Sequence, residues 1–149
     1  MPRVKKAKHS IANHTGFYPY LVSLPDRLYP FTAVVNGKKV RGKKAYDHVL
    51  AQVRRRLGPG HFGYKLLMYR QACHLLGAIT LIVFCTFLSK ELFGSDIATY
   101  ILLAFAVLAV SFQEFYLHPR YYAQLWRKGL SDWLVWIVPI GIYLFIHTH

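Results

Sequence analysis

Acidic side chains are scarce in this chain: 6 Asp+Glu stand against 19 Lys+Arg among 149 residues, a formal net charge of +13. The same chain is 54% hydrophobic. An ordinary soluble domain seldom combines so much apolar surface with so much uncompensated charge, so that class is disfavoured. Cysteine is sparse too. Cys73 and Cys85 are too few for a disulfide framework and have no CxxC spacing. Twelve residues apart on one helix, they would be separated by about 18 Å, beyond what a disulfide spans. Both are expected reduced and buried in helix contacts.

Catalytic and cofactor signatures are missing as well. The chain has no GxGxxG, no Walker A, no GxSxG and no HExxH, which removes the usual sequence grounds for a nucleotide-binding enzyme, an α/β-hydrolase or a zinc protease. No apolar core precedes residue 17, which argues against a cleaved secretory signal. The absence of acids before Asp26 would suit a mitochondrial presequence, but residues 1–15 show little amphipathic pattern. Asn13-His14-Thr15 matches a glycosylation sequon; the orientation below places it inside, where it is not expected to be used.

Charge is also absent from three long runs. Residues 71–89, around LLGAITLIVFCTFL, lie uncharged between Arg70 and Lys90. Residues 97–113, IATYILLAFAVLAVSFQ, lie between Asp96 and Glu114, and a helix can continue to Leu117 before Pro119 ends it. The run from Trp133 to the C-terminus has no charged side chain, and its Pro139 and Gly141 suggest a kink. Each run is about the length needed to cross a hydrocarbon core of about 30 Å. The expected spans are 71–89, 97–117 and 133–147: a helical hairpin plus a third span. Gly77, Ala78, Ala98, Ala104, Ala106 and Ala109 would let these helices approach closely.

What the sequence has in abundance is positive charge on one side. Residues 1–70 hold 15 of the 19 Lys+Arg and 2 of the 6 acids, while residues 71–149 hold 4 of each. This divides the chain into a basic arm, 1–70, and a membrane domain, 71–149. Since Lys and Arg accumulate on the cytoplasmic or matrix side, the N-terminus is expected inside and the C-terminus outside. The membrane would be a bacterial inner or plasma membrane, or the mitochondrial inner membrane. Tyr64, Tyr69, Tyr116, Tyr121, Tyr122, Trp126, Trp133 and Trp136 would form an aromatic belt at the inner surface. Between spans two and three, PRYYAQLWRKGLSD reads as a short interfacial helix.

Within the arm, FYPYLVSLPDRLYPF, 17–31, has three prolines and favours an extended course. TAVVNGKKV, 32–40, is a hairpin signal centred on Asn36-Gly37. Residues 44–57 read as a helix stopped by Gly58, with Tyr46, Val49, Leu50, Val53 and Leu57 on one stripe and Arg54, Arg55 and Arg56 at its basic end. Lys38, Lys39, Arg41, Lys43, Lys44, Arg54, Arg55, Arg56, Arg127 and Lys128 are the candidates for contact with anionic phospholipid or with a partner's surface. Lys and Arg interleaved with Tyr and Phe also suit nucleic-acid or ribosome contact. No helix-turn-helix or RNP pattern accompanies them, so nucleic acid is the least favoured partner.

The fold class that follows is an all-α membrane protein with three transmembrane helices and a basic N-terminal arm containing a β-hairpin and a short amphipathic helix. One constellation carries possible chemistry. Cys73-His74, Glu114, His118 and Asp132 fall near the same membrane surface, and Glu114 and His118 share a helix face at i, i+4. His74, Glu114 and His118 have the donor types of a transition-metal or haem site. The competing expectation is an interfacial collar, with Glu114 paired to Arg120 or Arg127. His147 and His149 form only a weak terminal pair. The favoured function is a non-catalytic accessory or structural subunit of a larger membrane complex, without a cofactor. Its partners would be other integral-membrane subunits and anionic phospholipid. The alternatives are a metal- or haem-dependent membrane redox protein and a membrane-tethered nucleic-acid binder.

Overall fold

Asn36 and Gly37 both adopt positive φ, 50° and 75°, the backbone a two-residue type I′ hairpin demands. They join β1 (Ala33–Val35) to β2 (Lys38–Val40) in antiparallel register, Ala33 opposite Val40 and Val35 opposite Lys38. The computed structural model describes residues 17–122 and 124–148. The Asn13-His14-Thr15 sequon, the presequence reading of residues 1–15 and His149 lie outside them. The chain divides into two compact units, Met1–His48 and Val49–His149.

In the first unit the 17–31 segment is helical rather than extended, forming α1 (Phe17–Val22) and α2 (Leu24–Arg27). Pro19 and Pro25 permit this because they fall in first turns, while Pro30 lies beyond α2. Pro25 stands at the start of α2, where its missing N–H has no intrahelical acceptor to lose. The Ser23 hydroxyl donates to the Tyr20 carbonyl at 2.8 Å and steadies the break between the two helices. Tyr29 is buried edge-on against Tyr46 and beside Phe31, with ring centroids 5.5 and 5.3 Å away. Burial pushes the Tyr29 phenol above its ordinary value. Helix α3 (Gly42–Leu57) begins here, with Ala45 and Tyr46 as its buried positions.

In the second unit α3 ends in Arg54-Arg55-Arg56, which suits the negative end of the helix dipole. Gly58, at φ 94°, then stops it. Helix α4 (Gly63–Phe93) has 31 residues and starts eight residues before the uncharged run. Lys65 and Arg70 are no obstacle to helix: long charged side chains are good helix formers, and the loss of charge at Gln71 marks only where a hydrocarbon core would begin. Gly94 caps α4 in the left-handed conformation, donating its N–H to Lys90. Two residues later the chain enters α5 (Asp96–Phe112), so the expected helical hairpin has a two-residue turn, Gly94-Ser95.

Helix α5 does not stop at Pro119. It widens into a π turn, Gln113–Leu117, and continues as α6 (His118–Tyr122). The His118 N–H donates to the Gln113 carbonyl, five residues back. Pro119 has no N–H and its ring would collide with the carbonyl four residues back, so the wider turn lets the chain pass the proline without breaking. The expected interfacial helix over 119–132 is likewise not a separate element. Its first part completes α6, and Trp126–Asp132 form the opening turns of α7 (Trp126–Thr148), which runs through Pro139.

Among the described residues three helices are long and apolar enough to cross a membrane: Gly63–Phe93, Asp96–Tyr121 and Trp126–Thr148. At 1.5 Å per residue even the 23 residues of the shortest reach about 35 Å. Helix α4 packs on α5 and α7, and α5 touches α7. Cys85, Leu103 and Ile140 are buried together where the three meet, flanked by Ile82, Leu102 and Tyr143. Both cysteines are free; Cys85 is buried and Cys73 half-buried. The outward faces stay bare: Val83, Phe87, Ile101, Phe105, Leu108 and Ile142 are all exposed.

Candidate functional site: a buried polar cluster

At one end of the apolar runs the charged residues turn inward, whereas Lys90 and Asp96 at the other end are exposed. Arg70 and His74 on α4, Glu114 in the π turn, His118 on α6, and Lys128 and Asp132 on α7 are all buried, with Glu114 and Asp132 at 0% exposure. A charge withdrawn from water persists only where it is paired and hydrogen-bonded, and the neighbours supply both.

Asp132 is held from two helices. Its Oδ1 accepts from the Gln71 amide of α4 at 2.7 Å, and its Oδ2 is ion-paired with Lys128 one turn earlier on α7. The Gln71 amide also donates to the Ser131 hydroxyl at 3.1 Å. Glu114 is the second anchor. Its Oε2 lies 3.0 Å from His118 Nδ1, and the Gln124 amide donates to the same oxygen at 2.9 Å. The expected pairing of Glu114 with Arg120 or Arg127 is therefore corrected. Both arginines are exposed while Glu114 faces the interior, and Arg120 instead reaches the Tyr116 ring.

The α7 backbone meets the π turn closely at Gly129, where a Cβ would stand 3.2 Å from the Glu114 carbonyl oxygen. Outside that contact Phe115 lies between Trp126 and Trp133, with ring centroids 4.8 and 5.9 Å away. The Trp133 indole donates to the Ser111 hydroxyl at 2.9 Å.

Of the residues singled out for metal binding, Glu114 and His118 are brought together. His74 Nδ1 faces Asp132 Oδ1 at 3.9 Å, too far for a hydrogen bond, and that nitrogen is buried with no hydrogen-bond partner among the described residues. Glu114 is within electrostatic range of His74. Among the described residues no group of three or more His, Cys, Asp or Glu is disposed to hold a metal ion. A shallow groove between α4 and α7, lined by Leu75, Ile79, Ile82, Val138, Pro139 and Tyr143, is wholly apolar and admits none of the cluster's polar groups.

Of the basic residues expected at a lipid or partner surface, Lys38, Lys39, Arg41, Lys43, Lys44, Arg55, Arg56 and Arg127 are exposed. Arg54 is half-buried, and Lys128 is buried against Asp132. Lys43 is paired with Asp47 at 2.7 Å, an exposed i, i+4 contact of small consequence. Sequence reasoning missed the donors Gln71 and Gln124 and the ring of Phe62. Lys128 and Asp132 carried a readable signal, opposite charges four residues apart at the head of an apolar run. Neutral glutamines carried none.

Chemically the cluster ties α4, the π turn and α7 into one register through carboxylates supplied with donors from neighbouring elements. Comparison with known proteins adds no relative: no family model, no curated protein and no solved structure matches the chain.

Proposed function

We propose that this chain is a three-span integral membrane protein, N-terminus inside, that serves as a non-catalytic accessory or structural subunit of a larger membrane complex. Its spans pack on partner helices, and its basic arm lies on the partner or on the anionic inner surface of a bacterial plasma or mitochondrial inner membrane. The observation that carries this is the combination of a polar cluster at one end whose two carboxylates are both supplied with donors and apolar faces left uncovered along all three helices. Both carboxylates take donors from within the cluster, so neither is presented to a substrate path. Phe105, Leu108 and Val83 on the outer faces need lipid or another protein's helices. Exposed Lys38, Lys39, Arg55, Arg56 and Arg127 support an inner orientation for the arm by the positive-inside rule. The test is extraction in a mild detergent with identification of co-purifying proteins. A stoichiometric membrane partner is expected; a monodisperse free monomer would end this proposal.

A second reading, a metal- or haem-dependent redox protein using His74, Glu114 and His118, draws support from the buried, unpartnered Nδ1 of His74. Metal analysis and a visible absorption spectrum separate the two. A stoichiometric metal that disappears in His118→Ala would favour the redox protein.

A further inference from the structure

Phe62, just before α4, collects three cations about one ring. Arg54 Cζ from the end of α3 lies 5.6 Å from its centroid, Arg70 Cζ from α4 lies 5.5 Å away, and Lys128 Nζ from α7 lies 4.7 Å away. We propose that this cradle binds the phosphodiester of an anionic phospholipid headgroup. The site deepens the membrane reading above and rests on it.

A ring face attracts one cation and partly offsets the repulsion of a second. Lys128 is answered within the cradle by Asp132, and Glu114 is taken by His118 and Gln124, so neither carboxylate serves Arg54. Arg54 Nε is buried with no hydrogen-bond partner among the described residues. A buried donor of this kind ordinarily meets an acceptor, and guanidinium groups match the paired oxygens of a phosphate.

The position favours a lipid over a free anion. Arg70 stands where the uncharged run of α4 begins and Lys128 one turn before Asp132, which precedes that of α7; this is headgroup depth in a bilayer. Tyr64 and Trp126, both exposed, flank the cradle in sequence with the amphipathic rings favoured at that depth. Beyond them the outer faces of α4 and α7 are apolar, as acyl chains would require.

The experiment is native mass spectrometry of the full chain in mild detergent, titrated with phosphatidylglycerol, phosphatidylcholine or inorganic phosphate. Wild type is expected to retain one phosphatidylglycerol at least tenfold more tightly than phosphatidylcholine. R54Q and F62L are expected to lose most of that preference, R54K to keep part of it, and K90Q, at the exposed far end of α4, to keep it whole. Two variants at the cradle guard against one of them misfolding, which thermal melts would reveal. Equal retention by wild type, R54Q and F62L would overturn the proposal, as would equal loss in K90Q. Displacement of the lipid by millimolar phosphate would assign the cradle to a soluble anion instead. Failure of the membrane reading shows separately, as a chain that leaves membranes without detergent.

Discussion

Trp136 of α7 lies across Gly77 of α4: a Cβ on residue 77 would stand 2.6 Å from the indole Cη2. Small residues let membrane helices approach, and here the approach is filled by an aromatic ring. Gly77→Ala is expected to cost about 1–3 kcal/mol, the range for overpacking a filled contact. Gly77→Leu should cost more. Unfolding in graded sodium dodecyl sulfate, followed by tryptophan fluorescence, measures both. An unchanged midpoint would mean that the α4–α7 contact is looser than described.

The Lys128–Asp132 pair is buried on both sides, at 7% and 0% side-chain exposure. Removing one partner leaves a buried charge without compensation, which typically costs about 3–5 kcal/mol. Lys128→Met and Asp132→Leu should each destabilise by about that much, and the double variant by less than either. A double variant as damaged as the sum of its singles would show that the two side chains do not act as a pair.

Glu114 accepts from buried His118 and half-buried Gln124, so Glu114→Ala strands one buried donor, at about 1–3 kcal/mol, and loosens a second. Glu114→Gln keeps an acceptor and should cost less. Elemental analysis of wild type is expected to find no stoichiometric transition metal, and chelator treatment to leave its unfolding midpoint unchanged. A midpoint that falls on chelation would move His118 and Glu114 into the redox reading.

Thr86 Oγ1 and the Tyr143 hydroxyl meet at 3.0 Å across α4 and α7, beside the core of Cys85, Leu103 and Ile140. Tyr143→Phe is expected to cost about 1 kcal/mol, the usual net worth of one hydrogen bond. Because Thr86 also donates to the Ile82 carbonyl, Thr86→Val should cost no less. A double-mutant cycle isolates the pair; a coupling energy near zero would assign the effect to packing.

Several features were legible from local chemistry. Three uncharged runs of helix-forming residues marked three long helices, since charge is what a hydrocarbon core excludes. Asn36-Gly37 marked the hairpin because few residue pairs accept positive φ in succession, and Gly58 marked the end of α3 for a similar reason. The boundaries were harder. Charge reports where water begins, not where backbone hydrogen bonding ends, so α4 and α7 start earlier than their apolar runs. Proline is equally ambiguous: Pro25 opens a helix, and Pro119 is carried through by a π turn.

By itself, then, the sequence determined which segments are apolar enough to seek lipid and which side of the chain carries the positive charge. Both depend on composition along a line. Tertiary structure alone decided the partner of each buried charge. Glu114 turned from the arginines beside it to His118 and Gln124, Asp132 took Gln71 from a helix about 60 residues away, and Phe62 drew cations from α3, α4 and α7. Those choices depend on how each helix is rotated about its axis. That rotation is set by contacts such as Trp136 on Gly77, whose two partners lie on different helices and are not written in any single segment.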